Sequence, residues 1–406
     1  MRMPIVWVVV SGLVLLHGPV QARVTGDTAL AARIARIENS LVGFSPGDPD
    51  SAQPSTKFTL GQRMAHYKIP GVSIAVINGD GIEWAKGYGR LVAGGDAPVT
   101  TSSIFQAAST TKLLVSAIVL HYVERGRFDL DRDVNAYLRS WQIPESDFTR
   151  REKVTLRRLL THQSGLNRPE GGFSREEGSV PKLVQVLEGE SPATNRAAVI
   201  EFEPGSRWNY SNFDFVVIQL LLEEALGRPL SEIARETVFA PLGMASSTLV
   251  YPLSPAFAAR EALPHDGEGN PAAASLHPTA VAQGGLLTTP TDLAEFSIEL
   301  IKACQGQSDR LISPETARRM LHPELQLDPR LLGMPLGQGL GAFVGGKGRG
   351  AFFLHPGDNF PGATSWLMAY PELAQGVVIM TNGAMGNLLA MEIMTALAAE
   401  YSWPVE

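Results

Sequence analysis

The amino-acid sequence predicts a mixed α/β (α+β) fold, in which an antiparallel sheet is flanked by helices and carries an inserted, all-helical lobe. Three observations support this prediction. One β-hairpin pattern lies within residues 71–89, a second lies within residues 365–381, and the stretch between them has mainly helical periodicity. Because the two hairpins lie at opposite ends of the chain, we expect N- and C-terminal segments to share one sheet.

The chain begins with a pattern typical of a secretory signal peptide. Arg2 precedes the apolar run 4–16, and Val20-Gln21-Ala22 places small residues at the cleavage spacing. The apolar run is too short to span a membrane, and no later stretch is long enough. We therefore expect residues 1–22 to be a signal peptide and the mature protein to be exported, either periplasmic or secreted.

Residues 23–57 are predicted to form a leading helix and a linker. The linker, residues 45–54, is rich in Pro, Asp and Ser, which disfavour regular structure. The helix is predicted because apolar residues recur at helical spacing: Leu30, Ile34, Ile37 and Leu41.

Each hairpin is predicted from a pair of β-rich runs. In residues 71–89 the runs flank an Asn-Gly-Asp-Gly turn, and in residues 365–381 they flank a five-residue connection. An amphipathic helix is expected at 388–401. Between the hairpins, helical patterns occur in five segments: 156–160, 181–187, 213–226, 230–239 and 290–302.

The main domain is predicted to span residues 58–406. Its α/β lobe would combine about 58–108 with about 285–406, and its helical lobe would take up about 109–284. Small-molecule sites are common in clefts between such lobes. We therefore expect functional residues near the junctions between the two lobes.

Composition and charge exclude several classes of function. The formal net charge is −7 and the basic residues are scattered, so nucleic acid is not an expected partner. The single cysteine, Cys304, rules out an internal disulfide, and its apolar neighbours favour a packing role. The histidines lack metal-ligand spacing. We expect no metal and no cofactor, and the sequence does not indicate an oligomeric state.

A glycine-rich segment near the C-terminus resembles a phosphate-binding loop. The segment 341–347 ends in Gly-Gly-Lys, but Gly348 stands where that loop needs Ser or Thr. The residues that follow are β-rich, whereas a phosphate loop precedes a helix. We interpret 345–350 as a hairpin turn.

The first pattern with chemical meaning is Ser-x-x-Lys at Ser109 and Lys112. An apolar, helix-like run follows it at 113–120, so the two side chains would share one helix face. A serine needs an adjacent base to act as a nucleophile, and a buried lysine with a lowered pKa can be that base. The alternative is an N-cap serine beside a solvated lysine.

The spacing alone is a weak signal, because a second copy occurs at Ser179 and Lys182. That copy follows a polar stretch, and we interpret it as the start of a surface helix with Pro181 in its first turn. Further motifs are needed to favour Ser109.

Two further motifs supply such support. Tyr210 and Asn212 form a Tyr-x-Asn pattern ahead of an apolar helix, where the phenol could relay a proton and the amide could hydrogen-bond Lys112 and a substrate. The alternative is a surface turn that caps the helix. A β-rich run also ends at His355-Pro356-Gly357.

At these three places the chain resembles the serine penicillin-recognising hydrolases, above all the class C β-lactamase branch with its carboxypeptidases, D-aminopeptidases and esterases. That family orders its motifs as Ser-x-x-Lys, Tyr-x-Asn and Lys/His-x-Gly. The resemblance extends over about 58–400, and four further segments carry it: 160–166, 202–205, 240–244 and 284–289.

The resemblance implies a β-lactamase/transpeptidase-like fold and a reaction through an acyl-enzyme. Ser109 would attack a carbonyl, Lys112 and Tyr210 would handle its proton, and the backbone N–H groups of Ser109 and Asp358 would hold the oxyanion. Which of Lys112 and Tyr210 is the base at each step stays open. The remaining residues would bind the substrate: Asn212, His355 and Gly357.

The third motif departs from the lactamase pattern in a way that affects substrate. Histidine is largely neutral at pH 7, and Pro356 has no hydroxyl and no backbone N–H. Carboxylate recognition should therefore be weaker unless an arginine elsewhere supplies the charge. We expect a small-molecule or peptide substrate, with esters or D-amino acid amides and peptides favoured over efficient β-lactam hydrolysis.

Two alternatives stay open. One is a β-lactamase or DD-carboxypeptidase, and the other is a non-catalytic protein of the same fold that binds cell-wall peptide or a protein partner. His162 lies in a helix-to-loop turn and is interpreted as structural.

Overall fold

The computed structural model describes residues 20–43, 56–169, 173–273, 276–329 and 334–404. Residues 1–19, which hold most of the predicted signal peptide, and the predicted linker at 45–54 lie outside these ranges. None of the described helices is long and apolar enough to cross a membrane.

The regular elements are numbered in chain order. The strands are β1 (Leu41–Val42), β2 (Lys57–Phe58), β3 (Gly71–Asn78), β4 (Gly81–Gly89), β5 (Phe105–Gln106), β6 (Leu287–Thr288), β7 (Leu325–Gln326), β8 (Gly337–Gln338), β9 (Phe343–Gly345), β10 (Phe352–Asn359), β11 (Ala363–Tyr370) and β12 (Gln375–Thr381). The helices are α1 (Val20–Glu38), α2 (Leu60–His66), α3 (Thr111–Glu124), α4 (Asp147–Arg151), α5 (Leu156–Leu160), α6 (Leu183–Glu188), α7 (Asn212–Leu226), α8 (Leu230–Ala234), α9 (Ala240–Leu242), α10 (Pro255–Ala258), α11 (Pro290–Cys304), α12 (Pro314–Met320) and α13 (Gly386–Tyr401).

Eight of the described strands form one antiparallel sheet in the order β4-β3-β12-β11-β10-β9-β8-β7. The hairpins predicted within 71–89 and 365–381 are confirmed as β3–β4 and β11–β12. β12 pairs with β3, and Val377 lies opposite Val76. The N- and C-terminal segments therefore share the sheet, as the sequence predicts.

The central strands are buried on both faces, and this explains their nearly continuous apolar sequences. Side chains alternate between the faces. On β3, Ile74 and Val76 lie in a core covered by α1, α2 and α13, whereas Ala75 and Ile77 lie in the core shared with α11 and the helices between the hairpins. The predicted C-terminal helix is confirmed as α13.

The segment between the hairpins is mainly helical, with α3 and α7 at its centre. Residues 111–120 of α3 and 213–222 of α7 are all buried. A helix that is enclosed on every side is apolar all round, which explains the long apolar runs in both. α7 contacts α3, α5 and α6. The boundaries of the two predicted lobes stay a prediction.

Two predicted helix boundaries are wrong. The leading helix ends at Glu38, and Leu41 instead begins β1, because it pairs with Phe58 of β2. Pro181 precedes α6 and does not lie in its first turn, since Lys182 is the N-cap. The serine of this second Ser-x-x-Lys copy therefore lies outside the helix.

The glycine-rich segment 345–350 is a turn, as predicted. It joins the antiparallel strands β9 and β10, and Gly346 has a φ of +65°, a conformation that favours glycine. A strand follows it, whereas a phosphate loop precedes a helix. The segment therefore connects two strands of the sheet and lacks the geometry of a nucleotide site.

Candidate active site

Ser109 and Lys112 lie where α3 begins, and the buried residues of α3 share one core with those of α7. Ser109 belongs to a 3₁₀ turn, Ala108–Thr110, that precedes α3, and the α-helix itself begins at Thr111. The turn continues into the helix, and Lys112 Nζ donates a hydrogen bond to Ser109 Oγ at 3.0 Å. The structure brings hydroxyl and amine into direct contact.

The Lys112 side chain is fully buried. Its Nζ lies 5.1 Å from the ring centre of Tyr210 and 5.6 Å from that of Phe215, and it also donates to the backbone carbonyl of Gln283. Burial lowers the pKa of Lys112 to about 7, although the charge of Asp214 opposes the shift. A large fraction of this amine is therefore neutral near pH 7 and able to accept a proton.

Tyr210 lies just ahead of α7, and its phenol shares a hydrogen bond with Ser109. Burial raises the pKa of Tyr210 above its ordinary value, although the hydrogen bond with Ser109 acts in the opposite direction. The phenol therefore keeps its proton at neutral pH. This favours Lys112 as the base and Tyr210 as a proton relay.

Asn212 is the first residue of α7. The predicted hydrogen bond between Asn212 and Lys112 is wrong, because the amine donates to Ser109 and to the carbonyl of Gln283 instead. Within the described ranges, Asn212 Oδ1 is buried and accepts no hydrogen bond.

Gly357 on β10 packs against the turn that holds Ser109. A Cβ at Gly357 would lie 2.4 Å from the carbonyl oxygen of Ala107 and 2.5 Å from Ser365 Oγ, so only glycine fits. Ser365 Oγ also donates to that Ala107 oxygen at 2.6 Å. The approach brings the backbone of 357–358 against the Ser109 turn, while the Asp358 side chain is exposed.

His355 lies two residues before Gly357 on β10 and is 3% exposed. Its Nδ1 lies 2.8 Å from the carbonyl oxygen of Pro356, and its ring centre lies 5.3 Å from that of Phe343. Burial and the charge of Lys112 lower the pKa of His355 to about 3. His355 is therefore neutral at pH 7 and brings no positive charge to the site.

The residue before Ser109 is strained. Ala108 has a φ of +46°, a left-handed conformation that costs a non-glycine residue roughly 1–2 kcal/mol. The turn is held in place by Thr110 Oγ1, which donates to the carbonyl of His355 at 2.9 Å, and by the contact of Gly357 described above. The sheet therefore fixes the geometry of Ser109.

Asp214 and Ser164 are buried side chains that the sequence did not predict as site residues, and both contact groups close to Tyr210. Asp214 on α7 is fully buried, and its Oδ2 lies 2.7 Å from His162 Nδ1. Ser164 donates to the other carboxyl oxygen. The His162 ring packs against that of Tyr210, with ring centres 4.3 Å apart. These contacts fix the position of the Tyr210 ring.

Burial disfavours the charged form of each member of this pair. It raises the pKa of Asp214 well above its ordinary value, against the effect of the Ser164 hydrogen bond, and it lowers the pKa of His162. We interpret the pair as a neutral imidazole that shares a hydrogen bond with the carboxyl group. The sequence signal that could have indicated Asp214 is its position as the one acidic residue in the mainly apolar run 213–222.

The described residues contain no group of three or more His, Cys, Asp or Glu side chains arranged to hold a metal ion. Cys304 is partly buried, and burial raises the pKa of its thiol to about 11. Its environment fits the packing role expected from the sequence.

The chain is similar in sequence to several known proteins. The chain is 28% identical to the D-alanyl-D-alanine-carboxypeptidase/endopeptidase AmpH of Escherichia coli, over 59% of this chain and 61% of that protein. It is 30% identical to the esterase EstB of Burkholderia gladioli, over 52% of this chain and 54% of that protein. The chain thus spans less than two thirds of the length of these relatives.

The fold is shared with solved structures. The octameric penicillin-binding protein homologue from Pyrococcus abyssi superposes with a TM-score of 0.69 at 24% identity, covering 84% of this chain and 76% of that one. The predicted β-lactamase/transpeptidase-like fold is therefore confirmed. In sequence, residues 59–399 match the profile of the Beta-lactamase family. Since this match covers most of the chain, the protein belongs to the beta-lactamase family.

Proposed function

We propose that this protein is an exported serine hydrolase that acts through an acyl-enzyme on ester or amide substrates. The observation that carries the proposal is the contact between Ser109 Oγ and the fully buried amine of Lys112, 3.0 Å apart. Burial lowers the pKa of this lysine to about 7, so it can take the serine proton under physiological conditions.

In the proposed reaction, Ser109 Oγ attacks the substrate carbonyl carbon while its proton passes to Lys112 Nζ. The tetrahedral intermediate collapses, the bond to the leaving group breaks, and the leaving group takes a proton from Lys112 through Tyr210. Lys112 and Tyr210 then activate a water molecule in the same way. The water attacks the acyl ester, the bond to Ser109 Oγ breaks, and Ser109 regains its proton. The backbone N–H groups of Ser109 and Asp358 stabilise the oxyanion, and each such donor typically lowers the barrier by about 2.7–4 kcal/mol.

Esters and D-amino acid amides or peptides are the favoured substrates. His355 is neutral, and Pro356 offers neither a hydroxyl nor a backbone N–H, so the third motif cannot hold a substrate carboxylate by charge. The unpartnered Oδ1 of Asn212 suits a substrate amide N–H. A panel of nitrophenyl ester, D-amino acid amide, D-Ala-D-Ala peptide and nitrocefin ranks these classes against a β-lactamase or DD-carboxypeptidase role.

The competing proposal is a non-catalytic protein that binds cell-wall peptide or a protein partner. A fluorophosphonate ester and a labelled penicillin distinguish the two, applied to the wild type, to Ser109→Ala and to the control Ser179→Ala. We expect at least one reagent to label the wild type and the control, and neither to label Ser109→Ala. If no reagent labels the wild type and no panel substrate is turned over, the binding role is favoured.

Export is proposed from the N-terminal sequence. Arg2, the apolar run 4–16 and the small residues before position 23 support it. N-terminal sequencing of protein recovered from the source cell's periplasm or medium should find Arg23 as the first residue. A chain that is recovered uncleaved from the cytoplasm would contradict this.

A further inference from the structure

We propose that Arg168 gives this site a preference for substrates that carry a carboxylate near the scissile bond. The inference rests on the proposed acyl-transfer function and names a substrate class for the same site. Arg168 would supply the positive charge that the motif at His355-Pro356-Gly357 lacks.

Arg168 lies over the ring of Tyr210, beside the nucleophile. Its guanidinium carbon is 5.9 Å from the Tyr210 ring centre, and the phenol of that ring is hydrogen-bonded to Ser109. The charge of Arg168 acts on the nearby groups, since it helps to lower the pKa of Lys112 and opposes the rise in that of Tyr210. An anion held by Arg168 would therefore lie about one tyrosine ring away from the reacting hydroxyl.

The backbone next to Arg168 is firmly anchored. Asn167 exchanges hydrogen bonds with the backbone of Val199, and its side chain donates to the carbonyl of Ala197 at 3.0 Å. Its own carbonyl accepts from Ser211 Oγ at 2.6 Å, which ties it to the residue after Tyr210. Arg168 therefore projects from a fixed position, although its side chain reaches solvent.

The guanidinium has capacity for an incoming anion. No carboxylate among the described residues forms an ion pair with Arg168, whereas Arg157 pairs with two carboxylates and Arg158 with one. A guanidinium presents a planar fork of donors that matches a carboxylate, and it stacks on an aromatic ring without losing that fork. A substrate carboxylate would complete this arrangement.

The rest of the site cannot serve the same purpose. His355 is neutral at pH 7, and the Lys112 amine is fully buried and engaged by Ser109 and the Gln283 carbonyl. Among the described groups that face the reacting hydroxyl, Arg168 is thus the cation that solvent and substrate can reach.

The test measures kcat/KM for matched pairs of esters. One pair places the charge on the acyl part, mono-nitrophenyl adipate against nitrophenyl hexanoate, and the other places it on the leaving group, 4-acetoxybenzoate against its methyl ester. In the wild type we expect the charged member of at least one pair to be favoured. That ratio should fall about tenfold in Arg168→Gln, be partly kept in Arg168→Lys, and fall with added salt.

Arg207 provides a matched control, because it is also an exposed arginine that lies over an aromatic ring, in its case that of Phe202 at 4.2 Å. Arg207→Gln makes the same charge change and should leave both ratios unaltered. The pair that responds to Arg168 identifies the side of the scissile bond on which the carboxylate binds.

Three outcomes would overturn the inference. The charged and neutral esters could react equally in the wild type, the ratio could be the same in wild type and Arg168→Gln, or Arg207→Gln could change it equally. In each case, turnover of the neutral esters that depends on Ser109 would leave the proposed hydrolase function intact. If the wild type turns over no ester and no reagent labels Ser109, both proposals fail.

Discussion

The chain contains the same Ser-x-x-Lys spacing twice, and the two copies have opposite environments. At Ser109 and Lys112, the amine is fully buried and donates to the hydroxyl at 3.0 Å. At Ser179 and Lys182, the lysine is exposed, and the serine hydroxyl donates to the carbonyl of Glu176. The spacing is identical, so the difference in chemistry comes from burial and from the elements packed around each pair.

The local backbone explains why only one copy brings its side chains together. Residues three apart share a face when both lie in a helical turn, as Ser109 and Lys112 do. In the other copy, Pro181 lies between them and the helix begins only at Leu183. A spacing rule for helices therefore applies to one copy and fails for the other.

The largest expected contrast is between the two serines. Ser109→Ala should lower kcat for a nitrophenyl ester on the order of 10⁶-fold, because it removes the nucleophile. Ser179→Ala should leave kcat within about twofold of the wild type, since a surface substitution away from the site is nearly neutral. Comparable losses in both variants would remove the distinction between the copies.

The two lysines should differ nearly as much. Lys112→Met keeps the volume and the apolar contacts but removes the base, so we expect kcat to fall about 10³- to 10⁴-fold. Lys182→Met, at the exposed copy, should have no effect on kcat. The measurement is steady-state turnover, with thermal melting to show that both variants are folded. Retention of more than a tenth of the activity in folded Lys112→Met would show that Lys112 is not the base.

Tyr210→Phe tests the part of the buried site that the exposed copy lacks altogether. The variant keeps the ring that packs on His162 and removes only the hydroxyl that contacts Ser109. We expect a loss of about 10²-fold in kcat, because a proton relay is removed while the base is kept. A loss as large as that of Lys112→Met would instead make the phenol the principal base.

The smallest effect concerns the buried carboxyl group beneath the site. Lys112 is faced by Asp214 of α7, by Arg168, by His355 of β10 and by Tyr210. The charge of Asp214 raises the pKa of Lys112 against the effect of burial. Asp214→Asn should therefore lower this pKa and move the acidic limb of kcat/KM to lower pH by roughly one unit.

The expected change in kcat at the optimum is about tenfold or less, since the base and nucleophile are unaltered. A purely structural role for Asp214 predicts a loss of activity with the acidic limb unmoved. Ser164→Ala removes a hydrogen bond that favours the ionised form of the same carboxyl group, so it should move the limb in the same direction as Asp214→Asn but by less.

The sequence predicted the parts of the molecule that depend on local patterns. The two hairpins and the C-terminal helix follow from alternation, periodicity and turn residues, and they lie where expected. Contacts between distant elements could not be predicted. The Lys112 amine donates a hydrogen bond to the carbonyl of Gln283 and none to Asn212. Asp214 is hydrogen-bonded to His162 because α7 packs on the turn after α5.

The departures at helix ends have a similar cause. Leu41 fits the helical period, but the pairing of β1 with β2 ends the helix at Glu38. Tertiary contacts outweigh the small differences in local propensity. The strain at Ala108 likewise depends on the sheet that holds the Ser109 turn, and no residue pattern near it indicates a positive φ.

The central claim is that burial makes Lys112 a base near neutral pH, and the pH dependence of Ser109 phosphonylation by a neutral fluorophosphonate tests it most directly. Lys112 is active when unprotonated, and its pKa lies at about 7. The rate constant should be level above pH 8 and fall about tenfold for each pH unit below the pKa. A rate that stays constant from pH 5 to 9, or a limb that persists unchanged in Lys112→Met, would contradict the claim.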